Sequence, residues 1–298
     1  MFTVTMIAKP GGLTPALVES LRNAWGGGDA VWLAPDEAAE FPVMRVPNNR
    51  EETWRALQDE DVDFCVQRTG HRRRRVLIAD MDSTMIGQEC IDELADLAGV
   101  GADVAAITDR AMHGEVDFEG ALEARVALLE GLDVEAIGQV LAERITLAPG
   151  ARRLVTTMKA NGARTVLVSG GFTAFAEPVA AMLGMDEVRA NRLEVSGSKL
   201  TGRVLPPILG RQAKVDALEA AVRKVGVTPG EAMAVGDGAN DLGMLLHAGT
   251  GVAVHAKPAV QAECSLRINH GDLTALLFLQ GYSRGDFARP PDPEDYAV

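Results

Sequence analysis

The chain shows two hydrophobic patterns in succession. In the first 70 residues, positions 2–7 alternate as a half-buried strand does, and 14–24 place Leu17, Val18 and Leu21 on one helical face. Lys9-Pro10-Gly11-Gly12 and Gly26-Gly27-Gly28 punctuate these elements. Further strands are expected near 30–33, 44–46 and 63–67, with a helix over 50–59. The order β-α-β-β-α-β predicts a small ferredoxin-like α+β domain over residues 1–70.

From about residue 74 the pattern changes. Val76-Leu77-Ile78-Ala79, Thr165-Val166-Leu167-Val168 and Ala232-Met233-Ala234-Val235 are short apolar runs, as expected of parallel strands covered on both faces. Residues 251–254 and 266–268 supply two more, and helical spacing over 152–161, 173–183 and 214–225 separates them. Residues 74–298 are therefore expected to form a doubly wound, Rossmann-type parallel α/β sheet. Two insertions interrupt it. Residues 91–147 carry four helical stretches and no strand, which predicts a helical cap. Residues 193–205 read as a β-hairpin turning at Gly197-Ser198.

Composition narrows the partners. Hydrophobic residues make up 47% but aromatics only 4%, so the core must be mostly aliphatic. A net charge of -13, from 29 basic and 42 acidic residues, disfavours nucleic acid and anionic membranes. A small anionic substrate remains compatible, given a local cationic pocket. The run His71-Arg72-Arg73-Arg74-Arg75 is then expected to be a solvated hinge between domains. Cys65, Cys90 and Cys264 are scattered without metal-ligand spacing, as suits reduced thiols. The start of the chain lacks the pattern of a secretory leader, and no apolar run approaches the roughly 18 residues of a membrane span. A cytoplasmic protein is expected.

Three apolar strands end in reactive residues: Asp80-Met81-Asp82-Ser83-Thr84, Ser169-Gly170-Gly171, and Gly236-Asp237-Gly238-Ala239-Asn240-Asp241. Ligands of open α/β sheets bind at the carboxyl ends of the strands, so the three motifs are expected to meet at one edge. Asp80, Asp82, Asp237 and Asp241 could not all stay ionised together without a cation, and Mg2+ fits an all-oxygen donor set. Ser169, with the backbone N–H groups beside Gly170 and Gly171, suits an anion, and Lys214 adds a point charge. Together these form an assembly for phosphoryl transfer. A nucleotide-binding alternative finds little support: Gly236-x-Gly238 lacks a third glycine, and no phosphate-binding loop ending in Gly-Lys-Ser/Thr occurs.

In order and spacing, these motifs with Lys214 resemble those of the haloacid dehalogenase-like phosphatases over residues 74–282. Within that superfamily, the stretches Gly87-Gln88-Glu89-Cys90-Ile91-Asp92-Glu93 and Ala111-Met112-His113-Gly114-Glu115-Val116-Asp117-Phe118, then Leu122-Glu123-Ala124-Arg125-Val126, are similar to the phosphoserine phosphatases. The resemblance implies hydrolysis of O-phospho-L-serine, the last step of L-serine biosynthesis, through an aspartyl-phosphate. Asp80 would be the nucleophile and Asp82 the general acid and base. Mg2+ would be held by Asp80, the Asp82 main-chain carbonyl and Asp237, with Asp241 orienting the metal shell. Ser169, Gly170, Lys214 and Asn240 would serve the phosphate, Glu89 the substrate ammonium and Arg125 its carboxylate. Met112 and Phe118 would form an apolar lid. The first domain resembles the amino-acid-sensing, ACT-like regulatory modules attached to some of these enzymes, which implies regulation or a homodimer. Two alternatives stay open: a related phosphatase or phosphotransferase on another small phosphomonoester such as phosphothreonine, and a metal-binding regulatory protein without catalysis.

Overall fold

The computed structural model describes residues 1–113 and 115–290, apart from the side chain of Met112. Gly114 and residues 291–298 of the expected phosphatase domain lie outside the described residues.

The N-terminal domain runs β1 (Phe2–Ile7), α1 (Pro15–Ala24), β2 (Val31–Ala34), β3 (Ala38–Val43), α2 (Arg50–Gln58) and β4 (Asp63–Arg68). Its sheet order is β2-β3-β1-β4, with every neighbouring pair antiparallel. Thr14 caps α1 by accepting the Leu17 N–H at 3.2 Å, and Pro15 opens the helix where its missing N–H costs nothing. Val18 and Leu21 of α1 then pack on Val4, Met6 and Phe41 of the sheet. The strand expected at 44–46 lies earlier, at Ala38–Val43, and Met44 is exposed. Glu40 and Pro42 interrupt the apolar run there and hide the strand from a pattern reading, while Ala39, Phe41 and Val43 still reach the core.

The second domain begins with β5 (Val76–Ala79). Four cap helices follow: α3 (Cys90–Leu97), α4 (Gly101–Met112), α5 (Phe118–Ala127) and α6 (Glu135–Glu143). The chain then runs α7 (Ala151–Ala160), β6 (Arg164–Phe172), α8 (Thr173–Leu183), β7 (Glu187–Ser196), β8 (Lys199–Leu205) and α9 (Arg211–Val225). It ends with β9 (Ala232–Gly236), α10 (Leu242–His247), β10 (Thr250–Val254), α11 (Pro258–Glu263), β11 (Leu266–Ile268) and α12 (Ala275–Leu279). The sheet order is β11-β10-β9-β5-β6-β7-β8, parallel throughout except for the last pair. Alternate residues of β5 enter opposite cores. Val76 and Ile78 pack with α9 and α10, and Leu77 and Ala79 with α7, α8 and α12. All four are fully buried, and each buried large aliphatic side chain contributes about 1.5–3 kcal/mol.

The expected hairpin is only half an insertion. β7 starts at Glu187 inside the central sheet, parallel to β6, and runs on into the hairpin with β8. The hairpin also holds the cap. Gly131 N–H donates to the Leu200 carbonyl and Leu200 N–H to that of Leu132, both at 2.9 Å, and Lys199 pairs with Asp133.

The two domains are fastened by buried polar contacts. Asp63, at 0% exposure, accepts the backbone N–H groups of Asn269 (2.8 Å), His270 (2.9 Å) and Gly271 (2.8 Å). Arg267 pairs through two nitrogens with Glu51 and stacks 3.7 Å from the centre of the Trp54 ring. The arginine run joins this interface and is a solvated hinge only in part. Arg72 forms a bidentate pair with Glu40 across it (2.7 and 2.9 Å), Arg74 reaches the Thr250 hydroxyl and the Gly230 carbonyl within the second domain, and Arg75 is exposed. Asp63→Ala would strand three N–H groups at the seam. A loss of about 3 kcal/mol in urea unfolding is expected, with the secondary structure unchanged.

Candidate active site

The site forms where the chain reverses its progress across the sheet. From β5 the chain builds outward through β6, β7 and β8, then returns to place β9 on the other side of β5. A crevice at the carboxyl ends of such neighbours is the expected ligand site. Asp80 follows β5 and Asp237 follows β9, and the Asp80 N–H donates to the Val235 carbonyl at 3.0 Å. Glycine is required beside them. A Cβ on Gly236 would lie 2.5 Å from Asp241 Cγ, so only glycine lets that carboxylate pack against the strand end.

Behind the crevice, buried Lys214 on α9 bridges two acids. Its Nζ lies 2.7 Å from Asp80 Oδ1 and 2.6 Å from Asp241 Oδ1. Burial opposes its charge, but the two carboxylates hold its pKa above the ordinary lysine value. Burial raises the Asp80 carboxyl well above its usual range; Lys214 offsets part of this, and Asp241 adds to it. Burial and then the Asp241 charge raise Asp237 as well.

Oxygens of Asp80, Asp237 and Asp241 lie within 4.8 Å of one another. Met81 N–H and Lys214 occupy Asp80 Oδ1, and the Thr84 hydroxyl occupies Asp237 Oδ1. Each of these two residues keeps one oxygen without a protein donor among the described residues. Both oxygens of Asp241 are taken, by Lys214 and by Gly238 N–H. Buried oxygen donors with excess negative charge and two free oxygens fit a hard divalent cation such as Mg2+.

Asp82 faces the other way. Its Oδ1 accepts the Cys90 N–H at 2.8 Å and its Oδ2 the Ser169 hydroxyl at 3.1 Å. Ser169 Oγ in turn accepts the Gly171 N–H at 2.8 Å. Phe118, on cap helix α5, rests on this loop: a Cβ on Gly170 would meet its Cζ at 3.2 Å. The cap therefore touches the core directly over the Ser169-Gly170-Gly171 turn.

Asp80, Asp82, Ser169, Gly170, Asp237 and Asn240 line one cleft of about 400 Å³, together with Glu89, Phe118 and Arg125. Lys214 and Asp241 sit behind its wall. The Met112 side chain lies outside the described residues. Glu89 receives the Ser83 hydroxyl at 2.7 Å, and burial followed by the Asp82 charge pushes its pKa up to about 7. The Arg125 Nε donates to the Ala121 carbonyl one turn back, while its terminal nitrogens have no partner among the described residues. Burial lowers its pKa, against the nearby charges of Asp92 and Glu89.

Three contributors escape a sequence reading. Thr84 holds Asp237, and Lys257, which precedes α11, lines the cleft. Asn191 on β7 is 1% exposed and ties two motifs together. Its Nδ2 donates to the Gly170 carbonyl at 2.8 Å and its Oδ1 accepts the Leu209 N–H at 2.6 Å, just before the helix that carries Lys214. A polar residue inside an otherwise sheet-like segment is the only local signal of this role. Asn191→Ala is expected to lower kcat/KM roughly 10- to 100-fold by loosening both segments, as steady-state kinetics on the folded variant would show.

A Rossmann-type sheet with this crossover, an inserted cap, acids at two strand ends and a Ser-Gly-Gly turn at a third defines a capped hydrolase with an acidic site. Residues 77–246 match the model of the haloacid dehalogenase-like hydrolases, and the chain belongs to that family. It is 44% identical over 230 residues to phosphoserine phosphatase SerB2 of Mycobacterium tuberculosis, spanning 76% of this chain and 56% of that protein. It is 43% identical over 228 residues to a probable phosphoserine phosphatase of Schizosaccharomyces pombe, 76% of each. The chain thus spans little more than half the length of the mycobacterial relative. A haloacid dehalogenase family hydrolase from Salmonella enterica serovar Typhi superposes with a TM-score of 0.84 at 29% identity, covering 93% of this chain and 97% of that one. A phospho-aspartyl intermediate analogue of phosphoserine phosphatase superposes with a TM-score of 0.65 at 37% identity, covering 69% and 98%.

Proposed function

We propose that the protein is a Mg2+-dependent phosphoserine phosphatase. The observation that carries this reading is the two-ended cleft. Asp80 and Ser169 line the end suited to a phosphoryl group, with Lys214 behind Asp80, and Glu89 and Arg125, whose terminal nitrogens have no partner among the described residues, sit under the cap. Phosphoserine has one group for each: a phosphate, an ammonium and a carboxylate, the last suited to bidentate arginine recognition. The relatives named phosphoserine phosphatase support the same substrate.

Asp80 attacks phosphorus, forming an O–P bond as the bond to the serine oxygen breaks. Asp82, as the carboxylic acid, passes its proton to that oxygen. The resulting carboxylate then takes a proton from water, which attacks phosphorus, releases inorganic phosphate and restores Asp80. The Ser169 hydroxyl and the Gly171 N–H keep the loop and Asp82 in place throughout. Asp80 and Asp237, with Asp241 behind them, would hold a divalent cation, which would supply charge neutralisation during phosphoryl transfer. The Phe118 ring, seated on the Ser169 loop, is placed to shield the reacting end when substrate is bound.

Phosphate release from L-phosphoserine, L-phosphothreonine and a sugar phosphate, each with Mg2+ and with chelator, tests the assignment. A clear preference for L-phosphoserine that chelator abolishes is expected; equal rates on all three would refute the substrate. A pH profile tests Glu89. The ionised carboxylate binds the ammonium, so KM for phosphoserine should rise as pH falls through about 7, approaching tenfold per unit below it. Glu89→Gln should show a high KM without that component. Any slope left in the variant belongs to the substrate phosphate, which ionises near pH 6.

A further inference from the structure

A second cleft, about 520 Å³ against about 400 Å³ for the catalytic one, lies where the N-terminal domain meets the back of the catalytic loop. One wall is the end of β1 and its turn: Ile7, Ala8, Lys9 and Pro10. Facing it is the stem of the cap. Ile86 and Gly87 lead out to the cap helices, and Thr146, Leu147 and Ala148 bring the chain back. These two segments are paired: Gly87 N–H donates to the Thr146 carbonyl at 3.0 Å and Ala148 N–H to that of Met85 at 2.9 Å. Ser83 and Thr84 also line the cleft, and their hydroxyls hold Glu89 and Asp237.

The lining has a definite chemistry. Leu147, Pro149, Leu273 and Phe278 provide apolar surface. Its carboxylates are engaged, Glu37 by Arg284 and Asp272 by the Thr274 N–H and hydroxyl, and His270 pairs with Asp61. Lys9 and His255 are the exceptions: their side chains have no hydrogen-bond or ion-pair partner among the described residues. The cleft thus combines an apolar body with an exposed lysine ammonium and an exposed imidazole that no protein group engages among the described residues.

We propose that this cleft binds a small carboxylate with a short apolar body, and that its occupant sets the position of the cap. The coupling half rests on the phosphoserine reading above; the binding half does not. The carboxylate meets Lys9 and His255, and the apolar part lies against the cap stem. An occupant touches both stem segments and the loop that steadies Glu89 and Asp237, without reaching Asp80. A ligand that fits this wall better in one cap position shifts the population toward it.

Methyl NMR on the full chain tests binding directly. With 4-methylpentanoate as the probe, saturable shifts are expected at the Ile7, Ile86 and Leu147 methyls, with a Kd on the order of 1 mM. Lys9→Glu should weaken binding at least about tenfold. Thr146→Trp, a change at an exposed stem position, should fill the cleft and abolish the shifts. No saturable shift, or equal shifts in Lys9→Glu, would overturn the site. Inorganic phosphate or 4-methylpentanol reproducing the shifts would overturn the need for charge and apolar body together. Phosphoserine turnover is a separate arm: the probe should change KM at least about twofold in the native chain and not in Lys9→Glu. Binding with unchanged KM would overturn the coupling alone. A chain with no phosphoserine turnover would refute the substrate reading and, with it, the coupling half, leaving the NMR result to stand by itself.

Discussion

Asp80→Asn is expected to abolish turnover, lowering kcat by about 10,000-fold or more. The side chains have nearly the same shape, so the variant keeps an amide oxygen where Asp80 Oδ1 accepts Met81 N–H and Lys214. What it loses is the anionic oxygen that, on the proposed mechanism, bonds to phosphorus. Fold and substrate binding should survive while chemistry stops. Rapid acid quench with labelled phosphoserine should trap a phosphoryl-protein in the native enzyme and none in the variant. Full turnover by the Asp80→Asn protein, or label trapped on it, would place the nucleophile elsewhere.

Lys214→Met should act on both stability and rate. Lys214 is 2% exposed, and its ammonium lies between two buried carboxylates, Asp80 and Asp241. Removing it leaves like charges facing each other in a low-dielectric crevice. Breaking a buried pair in this way costs about 3–5 kcal/mol. In chelator the variant should therefore unfold at clearly lower urea than the native chain. Mg2+ should recover part of the difference, because a divalent ion at the same acids replaces some of the lost positive charge. The rate should not recover in parallel: kcat is expected to stay roughly 100- to 1,000-fold low. Equal stability of the two proteins in chelator would remove Lys214 from the charge balance. Lys214→Arg should not rescue, since a planar guanidinium does not fit a point-charge position between two acids.

What the sequence makes legible follows local signal strength. The buried parallel strands at Val76–Ala79 and Ala232–Gly236 announce themselves as apolar runs, because both faces are covered. Asp80 and Asp237 are readable for the same reason, standing directly after those runs. β3 lies away from its expected place because Glu40 and Pro42 break its apolar run, and Glu40, on the face turned to the second domain, serves Arg72. The first part of β7 is hidden because Glu187 and Arg189 are charged; Glu187 answers Arg164, Arg189 and Lys224 at the sheet margin. Asn191, and what Thr84 does within the first motif, are illegible in principle. Their roles depend on which carbonyl or carboxylate the folded chain brings opposite them. Asp241 lies between these cases: its place in the motif marks it, but only the structure shows both of its oxygens already occupied.

The Asp63 clasp has a consequence for how the protein is made. Asp63 finds its first partner, Asn269, 206 residues further along the chain. At roughly 5–20 residues per second, the ribosome takes about 10–40 s to supply that partner after Asp63 itself has been synthesised. The N-terminal domain, with its own core of Val4, Met6 and Phe41, can collapse long before then. It must wait with an open flank, its β4 edge and Asp63 facing water, until residues 269–271 have emerged. Docking of the two domains thus follows folding of the first by that interval, and a nascent chain stalled before residue 269 would carry a folded first domain with nothing to hold.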